Sequence, residues 1–374
     1  MKAVIKFLKK ETVFSIAIIM AVVSAFFVPP SAKYIDYLDF KVLTLLFNLM
    51  LIVAGIKEQW IFRRIAEKLT LNAKSSKPLE LILVLLPFFS SMVITNDVAL
   101  ITFVPFALAL LNGVGLQKRI IRTLVLQTIA ANLGSMLTPI GNPQNLYLYS
   151  KSGMSMGDFF LLMLPLSLVA LAALIIVVLV GKKEEIKLSF DKPNYEIDKK
   201  KLIILAVLFV ICLGTVFRLS FDPWYISFGI VLVAGLIFFR NLFKEVDYFL
   251  LGTFIGFFIF IGNMQQIPAV TKVIENLLLG QEMVVSFGMS QVISNVPAAM
   301  LLSGFTDNTK ALLMGVNIGG LGTLIASLAS LISYKFYAVT EDSKKGKYLL
   351  IFTAWNVLFI VIMFVAYWLL NGVF

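Results

Sequence analysis

The sequence predicts an all-α polytopic membrane protein made of two inverted-topology repeats, and three observations carry this prediction. The first is composition: 60% of the 374 residues are hydrophobic and only 14% are charged, with apolar runs of membrane-spanning length recurring along the chain. The second is a repeated polar motif, and the third is a one-sided distribution of positive charge. Together they predict about nine crossings and two re-entrant hairpins.

Two polar segments within apolar runs each occur twice. Residues 91–101 match residues 290–300 at an offset of 199, which places Val-Ile-Thr-Asn over Val-Ile-Ser-Asn. Residues 132–142 match residues 317–327 at an offset of 185. Two matches in the same order indicate a duplicated unit. Broken hydrophobic segments at corresponding positions of two halves are typical of secondary transporters.

Positive charge is concentrated on one side of the predicted topology. Of the 32 Lys and Arg residues, 26 fall on one side and six on the other. Because cytoplasmic loops are enriched in Lys and Arg, we expect the rich side to be cytoplasmic in a plasma (inner) membrane. The N-terminus is then cytoplasmic and the C-terminus external. The net charge of +11 is explained by topology, so we expect no nucleic-acid partner.

The composition also excludes several kinds of site. The chain has no His and a single Cys, Cys212, which lies in an apolar run. Zinc sites, histidine proton relays and a disulfide framework are therefore excluded. Any proton carrier must be Asp, Glu, Lys or Tyr.

The first repeat is predicted to span residues 1–181. Its first apolar run also fits a signal peptide, but the second repeat contains a counterpart that favours a crossing. Residues 79–111 have basic segments at both ends, so we expect a hairpin with arms of about 15 residues, roughly 22 Å, reaching only mid-membrane. The other elements are crossings at 12–28, 40–56 and 159–180, an amphipathic interfacial segment at 57–72, and a broken helix at 120–149 interrupted at 134–143.

Residues 182–223 are predicted to form a cytoplasmic linker and one extra helix, residues 202–217. One extra crossing turns the following half upside down, so the second repeat, residues 224–374, is expected to be inverted. Its predicted elements are crossings at 224–239, 248–265 and 348–370, an outer interfacial arm at 267–283, a hairpin at 284–305, and a broken helix at 311–336 interrupted near 319–327.

Asp97 is the one ionisable residue that lies, by position, near the middle of the membrane, where a charge costs a few kcal/mol or more and marks an ion or substrate path. Pro and Gly at the interruptions break helices. Half-helix ends then present carbonyls to cations and amides to anions. Small residues such as Gly319 and Ser303 are explained equally well by close helix packing.

Three motifs resemble the ion transporter superfamily of arsenite permeases, sodium/proton antiporters, and citrate or dicarboxylate/sodium symporters. They are residues 95–105 (Thr-Asn-Asp-Val-Ala-Leu-Ile-Thr-Phe-Val-Pro), 138–145 (Thr-Pro-Ile-Gly-Asn-Pro-Gln-Asn) and 294–297 (Ser-Asn-Val-Pro). The resemblance implies substrate binding midway between the hairpin tips and the two breaks. It also implies elevator-type movement against a scaffold that often dimerises.

The resemblance further implies one cation site beside each tip. The first possible sodium site would comprise Ser91, Thr95, Asn96 and Gly141, and the second Ser290, Ser294, Asn295 and Ala326. The remaining candidate substrate- and ion-binding residues lie at the same tips and breaks: Asp97, Thr138, Pro139, Asn142, Val296, Thr323 and Ser327.

The resemblance to the dicarboxylate symporters is incomplete. Those proteins have Thr at the position after Asn in both tips, where this chain has Asp97 and Val296. An anionic Asp97 would repel a divalent anion at close range unless it is protonated or paired with a cation. The Asn-Asp pair at the first tip is more similar to the arsenite-permease and antiporter branches.

We therefore expect an ion-coupled secondary active transporter of a small inorganic or organic anion or oxyanion. Its coupling ion is Na⁺ or H⁺, no other cofactor is expected, and its partners are the lipid bilayer and a second copy of the chain. The alternative is a cation/proton antiporter that uses Asp97 as the exchanging carboxylate. A passive channel usually gathers its pore on an oligomer axis. An enzyme would need a nucleophile–base pair that these residues do not supply.

Overall fold

The chain folds into α-helices. The computed structural model describes residues 11–71, 73–186, 197–218, 224–341 and 343–370. Within these ranges there is no strand, and one isolated antiparallel bridge joins Ser75 to Glu185. Three predicted segments lie outside the described residues: the cytoplasmic start (1–10), the middle of the polar linker (187–196) and the last external residues (371–374).

The helices of the first half and the extra helix are α1 (Thr12–Ala25), α2 (Lys33–Asp36), α3 (Phe40–Glu58), α4 (Ile61–Thr70), α5 (Ser76–Ile94), α6 (Asn96–Gly113), α7 (Ile120–Ser135), α8 (Pro143–Ser152), α9 (Met156–Val180) and α10 (Lys199–Val216). The helices of the second half are α11 (Trp224–Phe238), α12 (Tyr248–Gln265), α13 (Pro268–Leu278), α14 (Glu282–Ile293), α15 (Asn295–Ser303), α16 (Thr309–Ile318), α17 (Leu328–Ala338) and α18 (Lys345–Leu370).

Among the described residues, six helices are long and apolar enough to cross a membrane: α3, α5, α6, α9, α12 and α18. Three shorter apolar helices, α1, α11 and α14, accompany them. The chain is an integral membrane protein by these properties, as its composition predicts. The crossing count and the inversion of the second half stay predictions.

Both predicted interruptions are present. The first break (residues 136–142) separates α7 from α8, and the second break (residues 319–327) separates α16 from α17. Each second half-helix begins at a polar cap: Asn142 Oδ1 accepts from the amide of Asn145 at 2.9 Å, and Ser327 Oγ accepts from the amide of Ala329 at 3.2 Å. These side chains replace backbone partners that a helix start leaves missing.

The predicted arm length of the first hairpin is wrong. The first helix pair, α5 and α6, has arms of 19 and 18 residues, about 28 and 27 Å long. Pro87 and Pro105 lie inside these helices without ending them. Helix α5 starts early because the amide of Ser76 donates to the carbonyl of Glu184 at 2.8 Å, which anchors its first turn. By length, both arms could also cross the membrane.

The second helix pair, α14 and α15, fits the predicted short arms. Its helices have 12 and 9 residues, about 18 and 14 Å, too short to cross a bilayer core of roughly 30 Å. The two pairs share sequence at their tips and differ in the length of their arms. Their entry sides therefore stay predictions from charge.

The two halves pack in a reciprocal manner. Helix α1 lies along α12, and α11 lies along α3. Glycines bring each pair close: a Cβ on Gly256 would lie 3.0 Å from the backbone of Ala17, and one on Gly235 would lie 2.9 Å from Leu51. Each broken helix also crosses to the other half, since α8 packs on α15 and α17 packs on α6. The candidate site is formed where these crossed helices meet.

A buried ion cluster, which no sequence pattern predicts, joins the start of α5 to α7 and α9. Glu80 is 1% exposed; its carboxylate pairs with Arg119 and Arg122, each at 3.0 Å. Arg119 also pairs with Glu184 at 2.8 Å. Arg122 Nη2 donates to the carbonyl of Val177 at 2.6 Å. A buried charge is tolerated here because both arginines compensate it.

We expect Glu80→Ala to destabilise the protein by about 3–5 kcal/mol, because it leaves two guanidinium groups without their shared carboxylate. Thermal unfolding in detergent measures this loss. Glu67→Gln is the control: its pair with Arg63 (3.2 Å) links adjacent turns of α4 and is partly exposed, so its loss should cost under about 1 kcal/mol. Equal shifts for both variants would contradict the assignment.

Candidate functional site

The two helix pairs turn at residues with the same unusual backbone. Thr95 has φ 70° and ψ 152°, and Ser294 has φ 76° and ψ 154°. Positive φ is disfavoured for residues with a Cβ, so the surroundings must hold this conformation. The amide of Asn96 donates to the carbonyl of Gly141 at 3.2 Å, and that of Asn295 donates to the carbonyl of Ala326 at 2.9 Å. Each tip is thus fixed by the break of its own half.

A second bond repeats in the same way. Thr138 Oγ1 donates to the carbonyl of Met92 at 2.6 Å. Thr323 Oγ1 donates to the carbonyl of Gln291 at 3.0 Å. The acceptors lie 199 residues apart and the donors 185 apart, as in the sequence repeat. The two sequence matches therefore correspond to two local structures with the same hydrogen bonds.

The two breaks are joined crosswise by Asn side chains. Asn142 Nδ2 donates to Asn317 Oδ1 of the other half at 3.2 Å. At the corresponding position, Ser327 Oγ donates to Asn132 Oδ1 at 3.0 Å. Each cap residue of a second half-helix thus reaches the first half-helix of the opposite repeat. The crossing holds four half-helix ends in one polar cluster.

The tips converge on this cluster. Asn96 Nδ2 donates to Asn132 Oδ1 at 3.0 Å, and Asn132 Nδ2 donates to the carbonyl of Gly320 at 3.2 Å. A Cβ on Gly320 would lie 3.0 Å from Asn295 Nδ2. Asn96 and Asn295 are each 4% exposed. The structure therefore brings the two tip asparagines together around Asn132 and Gly320.

Several residues that hold the breaks are not among those predicted from the sequence. Asn145 Nδ2 lies within 3.1–3.3 Å of the carbonyls of Ser135, Met136 and Thr138, and its Oδ1 accepts from Asn317. Asn132 and Asn317 coincide in the sequence repeat, which could have revealed them. In the second half, Gln291 Nε2 donates to the carbonyls at positions 319 and 321, at 3.0 and 2.9 Å, and no pattern pointed to it.

Several atoms of the predicted sodium sites already have protein partners. Ser91 Oγ donates to the carbonyl of Phe88 at 2.9 Å, and Ser290 Oγ donates to that of Ser286 at 2.7 Å. The carbonyls of Gly141 and Ala326 accept from the tip amides. A carbonyl oxygen has a second lone pair and a hydroxyl oxygen keeps acceptor capacity, so these groups retain oxygens for a cation.

Asp97 faces a cavity of about 280 Å³ beside the first tip. Its amide donates to Asn96 Oδ1 at 3.0 Å. Its Oδ1 is buried and has no hydrogen-bond partner in the described part of the chain. Thr95, Asn142 and Pro143 line the same cavity. Residues of the second tip do not line it, so the predicted midway site is approached here from the first tip.

The cavity also contains charges that the sequence did not single out. Lys57 at the end of α3 lines it together with Glu245 and Asp247, just before α12. Asp247 Oδ1 accepts from the amide of Leu250 at 2.9 Å and so caps α12. With Asp97 the lining has three carboxylates and one ammonium group, which favours a cation over an uncompensated anion.

A second cavity, of about 310 Å³, lies at the other end of α8, beside Tyr147 and Lys151. The α12 residues that line it occupy the same positions in the repeat, 208 residues later, as the α3 residues that line the first cavity. The corresponding pairs are Phe258 and Met50, Ile261 and Val53, Gly262 and Ala54, and Gln265 and Lys57. Asp39 likewise corresponds to Asp247 and caps α3, with Oδ1 2.9 Å from the amide of Val42.

Helices α3 and α12, which line the two cavities, contact the helix pairs in different ways. Helix α12 packs directly on α15; Gln265 Nε2 donates to the carbonyl of Gly304 at 2.5 Å. On the other side, a further cavity of about 390 Å³ separates the end of α3 from α6, beside Ile101 and Pro105. Cavities therefore separate α3 from α6, whereas the corresponding helix α12 contacts α15 directly.

The amino-acid sequence is similar to those of transporters. A family model described as "Citrate transporter" (CitMHS) matches residues 3–311. Inner membrane protein YbiR of Escherichia coli is 30% identical over 337 residues, 88% of each chain. Uncharacterized transporter MJ0456 of Methanocaldococcus jannaschii is 32% identical over 318 residues, 84% of this chain and 85% of that protein. Silicon efflux transporter LSI3 of Oryza sativa subsp. japonica is 30% identical over 128 residues, 34% of this chain and 26% of its own.

We expect Gly141→Ala to destabilise the protein by on the order of 2 kcal/mol, because the added Cβ would lie 2.1 Å from the carbonyl oxygen of Ser135. Gly288→Ala in α14 is the control, since a Cβ there meets nothing within 4 Å. Thermal unfolding in detergent compares them. A Gly141→Ala variant as stable as Gly288→Ala would show that the first break is not tightly packed.

Proposed function

We propose that this chain, which belongs to the citrate transporter family, is an ion-coupled secondary active transporter of a small anion or oxyanion. Family membership makes it a transporter and not an enzyme. The family does not fix the solute, since one relative is named for silicon efflux. Solute class and coupling are therefore proposed from the residues of this chain.

The observation that carries the proposal is the meeting of the two tips beside a cavity that holds Asp97. Asn96 and Asn295 meet at the crossed breaks, and the first cavity reaches this cluster through Thr95 and Asn142. Half-helix ends at such a place offer amides to an anion and carbonyls to a cation. Asp97 Oδ1 has no hydrogen-bond partner among the described residues, which leaves that oxygen for a proton or a sodium ion.

The charges around the first cavity support a small solute over a multivalent one. Three carboxylates face one ammonium group there. A tricarboxylate would meet strong repulsion unless several of these groups were neutralised. A monovalent oxyanion requires neutralisation of only one carboxylate. A sodium ion or a proton bound at Asp97 provides it. We therefore do not extend citrate as a substrate to this chain.

The unequal packing of the two halves supports elevator-type alternating access. The proposed moving unit consists of α5–α8 and α14–α17, and the proposed scaffold of α1, α3 and α10–α12. Corresponding scaffold positions meet α6 across cavities in one half and meet α15 directly in the other. In the opposite state the two halves would exchange these arrangements: α3 would contact α6 directly, and a cavity would separate α12 from α15. By the charge distribution, the present opening faces the cytoplasm.

Other features remain part of the same proposal. Two sodium sites would lie at the tips, the first at Ser91, Thr95, Asn96 and Gly141, and the second at Ser290, Ser294, Asn295 and Ala326. We place the protein in the plasma (inner) membrane, in agreement with the name of the E. coli relative. A second copy of the chain, docked through the scaffold, is the expected protein partner.

A cation/proton antiporter is the second candidate, and the carboxylates of the first cavity favour it. In that case Asp97 would bind the exchanged cation directly, with Asp247 as its neighbour across the cavity. No organic or oxyanion solute would then be needed. Proton flux driven by sodium alone in proteoliposomes separates this candidate from the first.

Asp97→Asn is expected to reduce gradient-driven transport at least about tenfold, because the amide can neither bind a proton at neutral pH nor neutralise sodium. The assay uses proteoliposomes with imposed sodium or proton gradients and labelled small oxyanions. Asp158→Asn is the matched control: Asp158 is exposed at the start of α9. Coupled activity of Asp97→Asn equal to wild type would remove Asp97 from the mechanism.

Cysteine labelling tests the state of the two halves. In a Cys212→Ala background, Ile101→Cys should react with a membrane-impermeant thiol reagent from the cytoplasmic side, because Ile101 is 36% exposed and lines the open cavities. Met300→Cys, the corresponding position in α15, should be protected, because Met300 is fully buried. A gradient with substrate should expose position 300 to the outside. Equal labelling of both positions under all conditions would contradict alternating access.

A further inference from the structure

A groove of about 560 Å³ lies away from the tips, where the start of α7 and the end of α9 meet α18. Its polar end contains Lys118, Arg119, Arg122 and Lys182, with Glu184 as the single acidic lining residue. Its other wall is apolar and includes side chains of α9 and α18. The groove combines a positive end with a hydrophobic wall.

The two arginines are held in place and the two lysines are free to bind. Arg119 and Arg122 are fixed by Glu80 and Glu184 through the buried ion cluster. In addition, the Arg122 guanidinium lies over the ring of Trp355, 5.8 Å from its centroid. Lys118 and Lys182 are exposed, and neither ammonium group forms an ion pair with a described residue. Four positive charges against Glu184 and Glu80 leave the polar end with a net charge of about +2.

The apolar wall faces outward. Val180 is 80% exposed, Ile176 is 60% exposed and Leu358 is 42% exposed. Both α9 and α18 are long apolar helices of membrane-spanning length. Exposed apolar side chains on such helices are covered by lipid chains. The basic residues stand at the end of α9, where the hydrocarbon layer gives way to lipid head groups.

We propose that this groove binds an anionic phospholipid, with the phosphate between Lys118 and Lys182 and an acyl chain along Ile176 and Leu358. Basic pockets between membrane helices suit anionic lipid head groups, because each Lys or Arg near the surface attracts the phosphate. A soluble anion would use the basic end alone. The apolar wall, continuous with the lipid-covered face, identifies a lipid as the occupant.

A bound head group would act on the fold through elements that the structure already joins. Lys118 directly precedes Arg119, and Lys182 follows the end of α9 and supplies the carbonyl that Arg119 Nη2 binds at 2.5 Å. The phosphate would thus bridge the start of α7 to the segment after α9, beside Glu80 at the base of the first helix pair. This inference does not depend on the solute or coupling proposed above.

Thermal unfolding in an uncharged detergent tests the site with added phosphatidylglycerol, phosphatidylcholine of the same acyl chains, or glycerol phosphate. We expect phosphatidylglycerol to raise the midpoint of wild-type unfolding by several degrees more than phosphatidylcholine, and glycerol phosphate to have no comparable effect. Lys118→Gln/Lys182→Gln should weaken the apparent phosphatidylglycerol affinity roughly tenfold or more. The matched control is Lys199→Gln/Lys200→Gln, which removes two exposed lysines at the start of α10.

Four results would overturn the proposal. Equal stabilisation by phosphatidylcholine would remove the need for an anionic head group, and equal stabilisation by glycerol phosphate would make the groove a site for free anions. An equal loss in the control variant would indicate a general effect of net charge. A second measurement locates the acyl chain: brominated phosphatidylglycerol should quench the fluorescence that is lost in Trp355→Phe. Absence of quenching at that tryptophan would also contradict the assignment.

Discussion

The structure depends on how broken helices satisfy their backbone inside a membrane. Without water in the hydrocarbon core, every amide and carbonyl freed by a break needs a protein partner or a water-filled cavity. Asn145 supplies a donor to carbonyls of the first break. Gln291 does the same at the second break, where Asn132 of the first half also donates to a carbonyl. Because Asn142 bonds to Asn317 and Ser327 bonds to Asn132 across the repeats, each break is also held by the opposite half.

The same constraint sets the chemical character of the polar cluster. Backbone groups brought to the cluster are fixed by neutral amides, so their remaining lone pairs and donors are available without a protein charge beside them. Asp97 is the exception at the tips, since its Oδ1 has no partner among the described residues. The cavity that Asp97 faces is lined by α3, the start of α6, the first break and the start of α12.

Charges remote from the tips organise the base of the first helix pair. Glu80 buries its carboxylate between Arg119 and Arg122, and this cluster ties α5 and α7 to the end of α9. The same arginines form one edge of the groove that faces lipid. The interior of the protein and its membrane surface are therefore linked through one set of ion pairs, which offers a physical route by which lipid composition could influence the first helix pair.

The sequence by itself determined the membrane class, the places where helices break and the residues at both tips, because hydropathy, Pro and Gly, and a duplicated motif act locally. Both breaks lie where Gly and Pro predict them, and Asn96 and Asn295 lie together as their shared motif predicts. Tertiary structure alone decided the arm lengths of α5 and α6, the pairing of Glu80, and the approach of Lys57, Glu245 and Asp247 to Asp97. These features arise from contacts between segments far apart in the chain, for which neither periodicity nor a repeat leaves a signal.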